Sequence, residues 1–214
     1  MILTLSHQKG GVGKSTIAWN LAFELSKNID VKVIDLDIQQ SLSVANDIRV
    51  NSGLPSMPIE TIESPDRLTK LIQNDTDDQL IIIDSGGFDS SFNRIAIVAA
   101  DMLITPISDK PFDLMGLKKY EEILQTLSDI QKETIQSHVI FNSINPSMRR
   151  FEELIEFVES SKHFKPLKTI LRQRVDYANS IGSGKTVCEY KPASKAAQEI
   201  LALAKEAKEL LNIF

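Results

Sequence analysis

Ile2-Leu3-Thr4-Leu5 leads through Ser6 into His7-Gln8-Lys9-Gly10-Gly11-Val12-Gly13-Lys14-Ser15-Thr16, and the reading of this opening stretch governs the rest of the chain. Glycines at 10, 11 and 13 allow torsions closed to other residues and let successive N–H groups point at one anion. Lys14 can then reach the β- and γ-phosphate oxygens of a nucleotide, and Ser15 can offer its hydroxyl to Mg²⁺. From Ser15 to Lys27, Ile17, Leu21, Ala22 and Leu25 share one side, the pattern of a helix whose positive N-terminus faces the phosphates. The stretch predicts a phosphate-binding loop between a strand and a helix. It departs from G-x-x-x-x-G-K-[ST] at Gln8, where that pattern has glycine, and it carries a second lysine, Lys9. A second cation is unexpected in a loop serving one nucleotide within one subunit, because Lys14 and Mg²⁺ already meet that charge.

Two later apolar runs end in acid. Val31-Lys32-Val33-Ile34-Asp35 reads as a buried strand followed by Asp37-Ile38-Gln39-Gln40-Ser41, and ligand chemistry in open α/β sheets collects at such strand ends. Asp35 and Asp37 either face the phosphates, where a carboxylate can hold a magnesium water or orient the attacking water, or cap the next helix. Leu80-Ile81-Ile82-Ile83 suits a central parallel strand covered on both faces, and it ends in Asp84-Ser85-Gly86-Gly87. Asp84 reads as the acid that bonds a magnesium water, with Gly86 or Gly87 offering an N–H to the γ-phosphate and moving on hydrolysis.

Between these landmarks strands and helices alternate. A short strand is expected within 57–62, and Ser64-Pro65-Asp66 opens a helix to about Gln73, with serine as cap and proline at the first helical position. A helix over 90–99, a strand over 102–106, a long helix from Pro111 to about Ile130 and a strand over 138–142 follow. Asn142, at that strand's end, can read adenine with its amide or simply form a turn. A helix over 149–160, a strand over 167–171, a loop-and-helix segment to Glu189 and an amphipathic helix over 194–211 complete the chain. The last helix mixes Glu199, Glu206 and Glu209 with Lys205 and Lys208 on its polar side, which favours packing on its own domain over lying on a membrane. The alternation predicts a three-layer α/β fold of the P-loop NTPase kind: a mostly parallel twisted sheet with helices on both faces, as one domain over 1–214.

Composition fits that picture. A chain of 214 residues with 42% hydrophobic and 25% charged residues is long enough to bury a sizeable core. No run is long enough to span a bilayer, and the chain enters a strand at once, leaving no room for a signal peptide, so a cytoplasmic protein is expected. Cys188 is the sole cysteine, which excludes an internal disulfide and reads as an incidental buried thiol. The net charge of −5 is unevenly spread: from Lys162 to Lys195 eight basic residues face two acidic ones. That polarity points to a basic face on an acidic body, or to a solvated surface if the basic residues scatter over several faces.

Taken together, Lys9 to Thr16, Asp35 to Ser41 and Ile83 to Gly87 resemble the deviant Walker ATPases of the ParA/MinD family. The resemblance continues through Pro106, Asp113, Arg172 to Tyr177, Gly184 to Val187 and Ala196 to Glu199, and is closest to short ParA proteins of plasmid partition systems. It implies ATP and Mg²⁺ as ligands and gives Lys9 a purpose, since the family's signature lysine reaches into the partner's phosphates across an ATP-sandwiched homodimer. Carried over by position, Lys9, Gly10, Gly11, Val12, Gly13, Lys14, Ser15 and Thr16 form the nucleotide loop and Asn142 contacts adenine. Lys9, Lys14, Asp37 and Asp84 serve catalysis; Ser15, Asp37 and Asp84 serve the metal, with Asp35 behind it. The family commonly has proline where this chain has Ile38, and often lacks glycine at the position of Gln8.

The resemblance further implies a weak ATPase that segregates DNA. Its ATP dimer would bind DNA without sequence preference through Arg172, Arg174, Lys185, Lys191 and Lys195, and a separate centromere-binding ParB-type protein would stimulate hydrolysis. A nucleoid-associated cytoplasmic protein with no membrane partner is expected. The alternative is a MinD-like membrane-positioning ATPase. An amidoligase or synthetase on the same fold would need a small-molecule pocket, and an iron protein of the nitrogenase kind would need two bridging cysteines per subunit.

Overall fold

The computed structural model describes residues 1–74, 79–148 and 152–213. In chain order its elements are β1 (Ile2–Leu5), α1 (Lys14–Leu25), β2 (Asp30–Asp35), α2 (Ser41–Asn51), β3 (Ile59–Thr61), α3 (Pro65–Gln73), β4 (Gln79–Asp84) and α4 (Ser91–Val98). They continue as β5 (Met102–Ile107), α5 (Pro111–Gln131), β6 (Ser137–Ile144), α6 (Glu152–Ser160), β7 (Phe164–Arg172), α7 (Val175–Gly182), α8 (Val187–Tyr190) and α9 (Lys195–Leu211). The start expected for α6, residues 149–151, lies outside the described residues.

The seven strands form one sheet in the order β3-β2-β4-β1-β5-β6-β7, and every recorded pairing is parallel. Alternation along the strands explains why their sequences are apolar throughout. Leu3, Leu5, Val31, Val33, Leu80 and Ile82 turn to one face, where they meet Ile17, Leu21 and Leu25 of α1 and Ile200, Leu203 and Ala207 of α9. Ile34, Ile81 and Ile83 turn to the other and meet Leu68 of α3 and Ala96 of α4. Further along the sheet, Leu103, Ile107, Val139 and Phe141 pack with Leu117, Tyr120 and Leu124 of α5. β1 stands between β4 and β5, where the strand order departs in both directions, so the loop after it emerges at the crevice such sheets use for ligands.

Several helix ends follow their sequence signals. Ser64 accepts from the Arg67 amide ahead of Pro65, Ser194 from the Ala197 amide, and Thr186 and Glu189 form a reciprocal capping box around α8. α9 buries Ala196, Ala197, Ile200, Leu203, Ala204, Ala207 and Leu211, so the apolar face that could have lain on a membrane is spent on the domain's own core. Among the described residues no helix is long and apolar enough to cross a bilayer.

The outer strand differs from expectation. β7 extends over Phe164–Arg172 rather than 167–171, and its outward N–H groups are occupied. Glu206 accepts from the Lys168 and Thr169 amides at 2.7 and 3.0 Å, and Glu199 from the Arg172 amide at 3.1 Å. Carboxylates from α9 thus cap an edge that would otherwise template another strand. β6 also continues past Asn142, with a break in register and Ser143 at φ 57°.

The segment between α7 and α8 is clamped onto α2. Arg49, itself buried, pairs both guanidinium nitrogens with Glu189 at 2.8 Å, donates to the Gly184 carbonyl at 3.0 Å and lies 4.2 Å over the Phe23 ring. Gly184 has φ +66°, and a β-carbon there would meet the Arg49 backbone, lying 2.5 Å from its nitrogen. Gly184→Ala is therefore expected to lower unfolding stability by about 2–4 kcal/mol, the joint cost of a left-handed alanine and an overpacked contact. Urea denaturation measures it, and a change below 1 kcal/mol, roughly the value for an unstrained surface site, contradicts the clamp.

Candidate functional site

The backbone leaves β1 and turns through Gly11 at φ 77° and Gly13 at φ 98°, both in the region that favours glycine. Gly13 precedes α1 without any side-chain cap, so the first-turn amides of that helix stay available to an anion. A cleft of about 530 Å³ opens over this turn, lined by Gly10, Gly11, Gly13, Lys14, Ser15, Thr16 and Asp37 and closed on one side by Gly87 and Phe88. Gln39 and Ser41 continue the wall beside Asp37, and four apolar residues complete it: Trp19, Leu42, Ala45 and Ile181, from α1, α2 and α7. No sequence signal marked those four, because only the packing of three helices makes them neighbours.

Charge is concentrated at the floor. Lys14 is 4% exposed and its Nζ lies 3.4 Å from the Lys9 carbonyl oxygen; burial lowers its pKa, against the pull of Asp84 and then Asp37. Asp84, at the end of β4, is fully buried, and neither carboxylate oxygen meets a donor in hydrogen-bonding geometry. Burial pushes its pKa up to about 7, moderated by the nearby Ser15 hydroxyl and then by Lys14. A buried carboxylate without a donor costs free energy unless something else meets it, and beside Ser15 and Lys14 a hydrated Mg²⁺ fits. Among the described residues no three His, Cys, Asp or Glu side chains cluster as a cage.

This arrangement predicts opposite pH trends for the empty fold and for metal binding. Asp84 is raised in the folded state, so its contribution to stability is complete below its ordinary value of 3.8 and is lost as pH climbs through about 7. If Mg²⁺ with nucleotide is held by this carboxylate in its charged form, its affinity is expected to rise about tenfold per pH unit below 7 and level off above, one proton being displaced. Calorimetry at several pH values reads the slope; an equal slope in Asp84→Asn assigns it to the nucleotide instead.

The two acids after β2 separate in role. Asp35 is a cap: Oδ2 accepts from the Leu42 and Ser43 amides and the Ser43 hydroxyl, and Oδ1 accepts from the Asp37 amide. Both oxygens serve the start of α2 and its approach, the capping arrangement that stood beside the phosphate-facing one. Asp37 lines the cleft, its Oδ1 accepting from the Gln39 amide at 3.0 Å. Ile38 beside it is 73% exposed.

Lys9 does not turn into its own cleft. Its Nζ pairs with Asp113 in the first turn of α5, and Asp113 also accepts from the Ser108 hydroxyl. Burial would raise the Asp113 pKa, but bonds from Lys9 and Ser108 hold it below its ordinary value. Gly116 permits this approach, since a β-carbon there would lie 2.9 Å from His7 Cε1 and 3.5 Å from Lys9 Cβ. On the other side of the loop, a β-carbon on Gly87 would lie 2.8 Å from the Gly10 nitrogen. Asn93 pins the loop that carries Gly87 by donating to the Gly86 and Phe88 carbonyls.

Asn142 has a structural task that its sequence context did not signal. Its Nδ2 donates to the Val12 carbonyl at 2.7 Å, and any β-carbon on Gly13 would collide with that nitrogen. It braces the phosphate loop, and it does not line the cleft.

The basic candidates divide. Arg174 gives Nε and Nη2 to Glu199 at 2.8 and 2.6 Å, and Arg172 donates to the Asn145 and Met148 carbonyls, so both are committed within the chain. Lys191 and Lys195 are exposed and Lys185 is half-buried, with Lys191 4.0 Å from Asp176. Cys188 is half-buried rather than buried, and burial and Glu24 push its pKa up to about 12, which keeps it an unreactive thiol.

Comparison with known proteins agrees with this geometry. A family model described as the CobQ/CobB/MinD/ParA nucleotide-binding domain matches residues 3–187. The chain is 26% identical over 247 residues to the virulence plasmid ParA family protein pGP5-D of Chlamydia trachomatis, covering 96% of this chain and 92% of that one. It is 30% identical over 154 residues to a protein named ParA from Rhizobium radiobacter, covering 71% and 68%. Among solved structures, the septum site-determining protein MinD of Pyrococcus horikoshii, complexed with Mg-ADP, aligns with a TM-score of 0.75 at 19% identity over 99% of this chain and 97% of that one, a likeness of fold.

Proposed function

Because the chain belongs to the CobQ/CobB/MinD/ParA family of nucleotide-binding domains, we propose that it is an ATP-hydrolysing DNA-partition protein that acts as an ATP-bound homodimer. The observation that carries the reading is Lys9. It is a second loop cation, 39% exposed on its side chain, at the mouth of a cleft whose own phosphate charge Lys14 already meets. Ile38 at 73% and Phe88 at 46% exposure flank the same mouth, apolar surface of the kind a second subunit would cover.

In this reading the loop amides and Lys14 bind the phosphates, and Asp37 orients the attacking water. Ser15 and Asp84 would hold Mg²⁺, which neutralises charge across the phosphate oxygens. The Gly86–Gly87 segment, against the loop backbone, senses the γ-phosphate, and Lys9 leaves Asp113 to reach the neighbouring subunit's nucleotide. Asn142 keeps the loop shaped, and its remaining amide capacity can meet adenine. Non-specific DNA is bound by Lys185, Lys191 and Lys195 rather than by Arg172 and Arg174, whose guanidinium groups are engaged inside the chain. The names of the Chlamydia and Rhizobium relatives support a partition role, with a separate centromere-binding protein stimulating hydrolysis at a cytoplasmic, nucleoid-associated site.

Sedimentation and DNA binding measured side by side with ADP and AMPPNP test this. A dimer and salt-sensitive duplex binding with AMPPNP alone are the expected results. Equal DNA binding in every nucleotide state sinks the cycle. Strong ATP-dependent sedimentation with liposomes and no DNA binding would instead favour a MinD-like membrane role, despite the buried apolar face of α9.

A further inference from the structure

Gln8 occupies the position where the phosphate-loop pattern has glycine, and nothing in the nucleotide site uses it. Its side chain turns to a small cavity on the far side of the loop, lined also by Ser6, His7, Asn93 and Tyr120 and by Phe88 and Asp89 of the segment after Gly87. The space left for a water-sized sphere is about 10 Å³, room for a single molecule. Three buried polar atoms of lining residues have no hydrogen-bond partner, Gln8 Oε1, His7 Nε2 and the Tyr120 hydroxyl, and His7 and Tyr120 are each only 1% exposed.

The protonation of His7 follows from its other nitrogen. The Lys9 amide donates to Nδ1 at 2.8 Å, so Nδ1 carries a lone pair and the proton of the neutral ring sits on Nε2. The ring is held in place by stacking on Tyr120, with centroids 5.9 Å apart and planes at 15°. The cavity therefore offers a donor, Nε2–H, an acceptor, the Gln8 amide oxygen, and the Tyr120 hydroxyl, which can do either. That set is complementary to a molecule that can accept and donate at once.

We propose that this cavity binds one ordered water, accepting from His7 Nε2–H and donating to Gln8 Oε1, with its second hydrogen directed to the Tyr120 hydroxyl oxygen. Gln8 is then the acceptor a glycine could not supply, and Phe88 covers the site from the side that moves with Gly87. Unpaired, these groups would each bear the full cost of desolvation in a dry pocket.

A crystal structure at a resolution that shows ordered solvent tests the site directly, together with ¹⁵N correlation spectra of the His7 ring in the full chain. The expected results are a solvent peak within hydrogen-bond reach of His7 Nε2 and Gln8 Oε1, a ring protonated at Nε2, and a cross-peak from that proton to water. Gln8→Met keeps the volume and removes the acceptor; the solvent peak is expected to fall below half occupancy and the cross-peak to be lost. An empty cavity, or a ring protonated at Nδ1, overturns the proposal. So does a peak that stays at full occupancy in Gln8→Met. None of these outcomes depends on dimerisation or DNA binding.

Discussion

Replacing Lys14 with methionine is expected to weaken ATP binding about a hundredfold or more while leaving the nucleotide-free fold as stable as before, or more so. The first part follows from the proposed function, in which Lys14 makes two charge-assisted contacts to phosphate oxygens, each worth roughly 1.5–3 kcal/mol, so losing them would cost about 3 kcal/mol or more. The second follows from burial. Lys14 is 4% exposed, and the hydrogen-bond acceptor its ammonium group meets within the chain is a carbonyl oxygen at 3.4 Å. Its main compensation is attraction to Asp84 and Asp37, and Asp84, raised to about 7, carries only part of a full charge near pH 7. Methionine fills a similar volume without the desolvation cost, and Asp84 answers by taking up its proton more readily. Calorimetry with ATP and thermal melting without nucleotide separate the two effects. A melting temperature that drops by more than about 10 °C would make Lys14 a structural ion, since a shift that large corresponds to well over 1 kcal/mol in a domain of this size.

Lys9→Ala should abolish ATP-dependent dimerisation while nucleotide binding by the monomer changes less than about fivefold, within 1 kcal/mol. The structure supplies the asymmetry. Lys9 is tied to Asp113 on α5 and takes no place in its own cleft, so its removal leaves Lys14, Ser15 and the loop amides as they are. Asp113→Asn tests the same contact from the other side. It keeps the shape and the bond from Ser108 but weakens the hold on Lys9, and it is expected to make dimerisation with AMPPNP easier. Sedimentation velocity with AMPPNP reads both variants. If Lys9→Ala still dimerises and instead loses nucleotide, the lysine serves its own subunit, and the reading of a shared site is wrong.

Much of the architecture was legible before any coordinate. The apolar strands ending in Asp35 and Asp84, the Ser64-Pro65 cap and the glycine turn into α1 obey rules that act within a few residues. The contacts that went unread join residues far apart in the chain. Lys9 and Asp113 are 104 residues apart, Arg49 and Glu189 140, and Asn142 and Val12 130. Arg172 and Arg174 looked like a basic surface because a sequence shows charge without its partners; Glu199, a turn up α9, takes one guanidinium and the backbone beside the other. For Asp35 the sequence left facing the phosphates and capping the next helix both open, and the packing of α2 supplies the amides that it accepts from.

What the sequence determined by itself is the phosphate loop and the layer order. Glycine torsions, strand periodicity and helix polarity are local, so their physics is complete within a short stretch of chain. What only the tertiary structure decided is which way each charge faces. Lys14 turns inward to Asp84 and Lys9 outward to Asp113, although the two lysines lie five residues apart in one loop, because β4 brings a carboxylate to one side of that loop and α5 brings one to the other.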